Sequence, residues 1–138
     1  MIALTRRYRF PAAHILCHPG LSADENVRIY GKCANPAGHG HDYALEITVA
    51  GEIDPASGQV FNRDRLDALV AERVLERFGH SLLNDDPIFA GRVPTAENIA
   101  LAIEAEIAPA VASQPGARLV RVRLEETRRN SFETGELR

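Results

Sequence analysis

The chain has 138 residues, 45% hydrophobic, 25% charged and 6% aromatic, a size and balance that suit one domain over residues 1–138 with a core of its own. A formal net charge of −3 with no basic tail argues against a general nucleic-acid or membrane-surface binder. No stretch approaches the roughly eighteen apolar residues of a membrane span and MIALTRRYRF lacks a signal-peptide core, so a cytoplasmic protein is expected, with Cys17 and Cys33 as free thiols.

The first element is a strand over 3–14. Leu4, Tyr8, Phe10 and Ala12 fall on the even positions and Arg7 and Arg9 on the odd ones, the alternation of a half-buried strand, and the even row ends in His14. Residues 15–38 show no sustained period and carry Pro19, Gly20, Gly31, Pro36 and Gly38, which predicts a long loop of functional character. Within it His18 is expected to be solvated and Cys17 to be a buried, inert thiol.

A second strand over 43–53 places Tyr43, Leu45, Ile47, Val49 and Ile53 on one face, and the same odd row read backwards reaches His41 and His39. DPASG at 54–58 is a turn signal. Asn62 caps a helix with Leu66, Leu69, Val70, Val74 and Phe78 on one stripe and Gly79 as its C-terminal cap. A second helix from about Thr95 carries Ile99, Ile103, Ile107 and Val111 at four-residue steps and stops before Pro115-Gly116. Residues 118–126 form a third strand with Val120, Val122 and Leu124 on one face and Glu126 next in the row, and a short strand over about 131–137 follows.

The order strand, strand, helix, helix, strand, strand predicts an α+β fold, a four-stranded antiparallel sheet covered on one face by two helices. His14, His39, His41 and Glu126 all extend apolar rows, positions that penalise a polar group without a partner. His39 and His41 point the same way in an extended strand, and with His14 they make three imidazoles around an open fourth position, the composition of a catalytic zinc site. Cys33 could close that site as a fourth ligand, or stay free beside the cation as a base or nucleophile; spacing leaves both open.

FPAAH at 10–14, ENVRIYGKCANPAGHGHDY at 25–43, GEIDPASGQV at 51–60, PTAEN at 94–98 and EET at 125–127 together resemble the 6-pyruvoyl-tetrahydropterin synthase family, collinearly over nearly the whole chain. The resemblance implies a tunnelling fold, with subunit sheets joined into a barrel and a homohexamer made of two trimers. It implies a lyase that eliminates triphosphate from 7,8-dihydroneopterin triphosphate to give 6-pyruvoyl-5,6,7,8-tetrahydropterin. It further implies Zn2+ on His14, His39 and His41, Cys33 as catalytic thiol, Glu126 as the anchor of the pterin ring, and Thr95 and Glu97 beside the pterin.

Two related readings are the 6-carboxy-tetrahydropterin synthases of queuosine formation, which usually have a shorter gap than the five residues between Cys33 and His39, and a weakly active pterin-binding relative. The last is suggested by a departure. The family carries an aspartate and a histidine after the first long helix, as partners of the cysteine in a proton relay; here the pair is Gly79-His80, so His80 is kept without its orienting acid. Asp85 and Asp86, the available substitutes, are expected to be solvated loop carboxylates.

Overall fold

The computed structural model describes residues 1–136. Four strands, β1 (Ile2–His14), β2 (His39–Gly51), β3 (Arg118–Thr127) and β4 (Asn130–Gly135), form one antiparallel sheet in the order β1-β2-β3-β4. The expected fourth strand thus ends at Gly135, and its expected last position, 137, lies outside the described residues.

The alternation read from the sequence sets the two faces of this sheet. Phe10, Tyr43, Leu45, Ile47, Val49, Val122 and Leu124 are buried on the covered side. Arg6 lies on the same even row of β1, and its guanidinium is matched by two hydrogen bonds to Asp67, which also accepts from the Tyr8 hydroxyl at 2.7 Å. On the opposite face, Glu46 and Glu133 bracket Arg123 at 2.7 and 3.3 Å.

Two long helical segments cover the sheet. The first runs from α2 (Arg63–Val70), through a π turn (Ala71–Leu75), into α3 (Glu76–Phe78), with Asn62 accepting from the Arg65 N–H as its N-cap. The second, α4 (Ala96–Ala112), is capped by Thr95, which accepts from the Asn98 N–H. Leu66, Val70, Val74 and Phe78 from the first and Ile99, Ile103, Ile107 and Val111 from the second are fully buried, the stripes their spacing predicts.

Five local expectations need correction. Residues 15–38 are not all loop, because α1 (Ala23–Tyr30) and a 3-10 turn (Gly31–Ala34) lie within them. Ser22 and Glu25 there form a reciprocal capping box, a signal present in the sequence but masked by the flanking Pro and Gly residues. Cys17 is exposed rather than buried. β2 stops at Gly51, where a Cβ would meet Gly116 O at 2.8 Å, and Ile53 beyond it is half exposed. Val120 leaves the core row: Thr48 pairs with Arg121 but Val49 with Leu119, so Val120 bulges out and Leu119 packs on the core instead.

The fifth concerns the end of α3. Gly79 is extended (φ −62°, ψ 137°), and the left-handed residue is His80, at φ +57°. Gly79 owes its place to space: its N–H donates to Leu75 O at 2.9 Å, and a Cβ would drive into that same oxygen.

Candidate active site

The end of the sheet where β1 finishes and β2 begins holds the histidines. His14 and His39 are direct partners in the β1–β2 ladder, and His41 is two residues along on the same face. One ring nitrogen from each falls within 4.8 Å of the others, and His14 Nε2 stands 2.9 Å from His39 Nε2.

The three rings suit a cation. His14 Nδ1 donates to Pro94 O at 2.8 Å, which fixes the tautomer that leaves a lone pair on Nε2. Burial also pushes both His14 and His41 below the ordinary 6.5, with the neighbouring imidazoles adding to the shift, so the neutral, ligand-competent form is favoured. His41 Nε2 is buried with no hydrogen-bond partner among the described residues, a lone pair free to meet an ion. Three neutral imidazoles are the donor set of a catalytic zinc site, and these residues fit one.

Around the triad the chain places one carboxylate, one phenol and one thiol. Glu126 continues the Val122, Leu124 row, and its carboxylate reaches to 4.0 Å from His14 Nε2. Asn130 Nδ2 lies 3.5 Å from its other oxygen. Tyr43 Oη sits 3.4 Å from His14 Nδ1, and burial in this pocket raises its phenol far above the ordinary value of 10. The Glu126 and Cys33 charges add to that rise. Cys33 sits half-buried in the 3-10 turn, whose backbone is tied to the end of β1 by the Leu16 N–H donating to Cys33 O at 2.8 Å. The converging ligand group is His14, His39 and His41 without the thiol.

The remaining expected residues stand further out. Thr95 follows Pro94, so it flanks the His14 support, but its hydroxyl is occupied as the α4 cap. Glu97 faces away, into a groove between α4 and β4 that it shares with Leu101, Glu104 and Phe132. His80 is exposed at the outer edge of β1, where its N–H donates to Pro11 O, and Ser81 O accepts from Ala13. His80 lines a groove of about 460 Å³ with Pro11, Gly40, His41, Asp42 and Ser81. Asp86 is not a free loop acid: both its oxygens are held by Arg77 at 2.8 Å, and it caps the following turn through the Ile88 N–H. Asp85 is exposed, as expected. His18 is exposed too, its ring accepting from the Gly20 N–H.

Sequence reasoning missed two parts of the site. Tyr43 was readable, being next in the His39, His41 row. The Pro94 carbonyl was not, because a backbone acceptor leaves no mark in residue type.

The family model for 6-pyruvoyl tetrahydropterin synthase matches residues 3–136. A protein from Pongo abelii named 6-pyruvoyl tetrahydrobiopterin synthase is 41% identical over 128 residues, 92% of this chain and 86% of its own. Its namesake in Homo sapiens is 45% identical over 101 residues, covering 72% of this chain and 70% of its own. The solved structure of Caenorhabditis elegans 6-pyruvoyl tetrahydropterin synthase superposes with a TM-score of 0.89 at 35% identity, over 99% of this chain and 96% of that one.

Proposed function

Because this chain belongs to the 6-pyruvoyl tetrahydropterin synthase family, we propose that it is a zinc-dependent lyase converting 7,8-dihydroneopterin triphosphate to 6-pyruvoyl-5,6,7,8-tetrahydropterin with elimination of triphosphate. The observation that carries this reading is the convergence of His14, His39 and His41 beside the half-buried carboxylate of Glu126.

Each residue has work that its surroundings favour. His14, His39 and His41 would hold the ion, with His14 kept in its ligating tautomer by the Pro94 carbonyl. A zinc ion held by these three residues would supply Lewis acidity, which would make a C–H proton of the substrate side chain more acidic. Glu126 accepts the N–H groups of the pterin ring, a flat donor edge that suits an acceptor placed at the end of an apolar row. Thr95 and Glu97 lie on the segment after Pro94 that borders this pocket, Thr95 nearer than Glu97. Cys33 takes and returns the proton, and His80 exchanges it onward.

The subunits assemble by closing their sheets. Among the described residues β4 presents an open edge and β1 is covered only near its end by residues 80–82, edges that pairing with further copies would remove. The assembly we propose is a homohexamer of two trimers. Gel filtration at micromolar concentration is expected to give several times the 15.1 kDa of one chain, and a clean monomer would contradict the assembly.

The deciding experiment for the chemistry is incubation with dihydroneopterin triphosphate and identification of the products by mass. The 6-pyruvoyl product is expected; a 6-carboxy pterin with acetaldehyde would place the chain with the carboxy-forming enzymes instead. The five residues between Cys33 and His39 favour the pyruvoyl branch by resemblance. A second reading, a pterin binder that turns over poorly, draws on the missing acid at Gly79. It predicts stoichiometric zinc with negligible turnover, and conversion by the wild type but not by Cys33→Ala sinks it.

A further inference from the structure

His80 has a fixed backbone and a free ring. Its N–H donates to Pro11 O at 2.6 Å and its φ is +57°, while its imidazole is exposed and makes no hydrogen bond among the described residues. An acid next to it at position 79 would need the backbone to shift, because a Cβ there runs into Leu75 O. The carboxylates that follow in sequence are no help. Asp86 is clamped by Arg77, and Asp85 lies outside the groove that His80 lines.

The acid in that groove is Asp42. Pro11 is its direct cross-strand partner, and Pro11 O is also the acceptor for His80, so His80, Pro11 and Asp42 form one row across the edge of the sheet. With strands about 4.8 Å apart, the outer backbones of that row are about 10 Å apart, a span that an imidazole and a carboxylate close by reaching toward each other over the proline. Asp42 meets Arg9 at 3.1 Å, but both side chains are mostly exposed (63% and 70%), and an ion pair so placed holds its carboxylate weakly.

We propose that Asp42 is the positioning residue for His80. Its carboxylate exchanges Arg9 for one imidazole N–H, which fixes the tautomer and leaves the lone pair on the other ring nitrogen for proton exchange. No proton passes to Asp42; it only accepts a hydrogen bond. The kinetic consequence rests on the reading of the chain as a pterin synthase, whereas the contact itself does not.

The test is a set of variants of the zinc-loaded full chain. Asp42→Asn is expected to lower kcat by about tenfold or more with KM within about twofold, as loss of an orienting carboxylate does elsewhere. Asp42→Glu recovers part of the loss, and Arg9→Ala keeps wild-type kcat. In a His80→Ala background Asp42→Asn costs nothing further, because a residue acting through His80 is silent without it. The proposal is overturned by kcat within about twofold of wild type, by a loss that persists in the His80→Ala background, or by a loss of zinc that would route the effect through His41. If wild type itself fails to turn over, the enzymatic reading fails, and the contact is read instead from the ring 15N shifts of His80. A single tautomer in wild type that becomes a mixture in Asp42→Asn upholds the contact, and identical spectra reject it.

Discussion

Leu75 O fills the place where a side chain at position 79 would begin. Gly79→Ala should therefore cost about 1–3 kcal/mol, the range for forcing atoms into filled space, read as a lower urea midpoint. Gly79→Asp should be destabilised at least as much and gain no activity. His80 next to it carries the left-handed backbone, so His80→Gly should gain up to about 1 kcal/mol by relieving it while turnover falls, a trade a paired melt and product assay would show. The three histidines and Glu126 were legible from parity alone, because a strand's side chains alternate strictly and a polar residue on the inner row stands out. The steric closure at 79 was not: it depends on where a carbonyl four residues earlier ends up, which no residue type records.

Segment 15–38 has its order concentrated in Asn26. This buried side chain accepts from the His18 N–H at 2.8 Å and donates to the carbonyls of His18, Leu21 and Ser22, so it joins α1 to the turn that precedes it. Asn26→Ala leaves the His18 N–H and the Leu21 carbonyl unpaired, while His18 O and Ser22 O keep the N–H groups of Leu21 and residue 26, and should cost about 1–3 kcal/mol locally, seen as faster hydrogen exchange across α1 and faster alkylation of Cys33. The latch between α3 and the following turn is electrostatic. Arg77 holds Asp86 below its ordinary 3.8, so the carboxylate's contribution to stability is whole above that value and disappears as pH falls through the lowered one. Melting curves of wild type and Asp86→Asn, which keeps the cap, should differ at pH 6 and converge toward pH 2. The long helices were legible from their stripes of burial, whereas α1 was not, because its inward-facing anchor is an asparagine and Val27 and Ile29 face solvent.

At the scale of the whole molecule, the sheet, the helices and the triad are one device, since β1 and β2 deliver the rings and the start of α4 delivers the carbonyl that orients one of them. An ion bound there stabilises the folded chain alone, by about 2.7 kcal/mol at a hundredfold excess over its dissociation constant. Chelation should lower the melting temperature and readded zinc restore it, while His14→Ala should bind zinc substoichiometrically and show no such recovery. The order of the four strands and two long helices along the chain was legible, because two pairs of alternating segments flank the helices. The homohexamer is proposed from the resemblance and from the open edges of the sheet, as no single chain displays its neighbours.

The bulge at Val120 carries a different lesson, about insertions and deletions. Leu119 faces the core, Arg121 faces away and Val122 faces the core again, so removing Val120 would leave an unbroken alternation on both sides of the cut. The residue reads as a tolerated insertion, accommodated without moving Glu126 at the strand's far end. Its carbonyl accepts from Glu136 and presses where a side chain on Gly135 would sit. A chain shortened by Val120 should keep the three-histidine cluster and Glu126 in place and lose that one hydrogen bond, while position 135, at φ +98°, still calls for glycine.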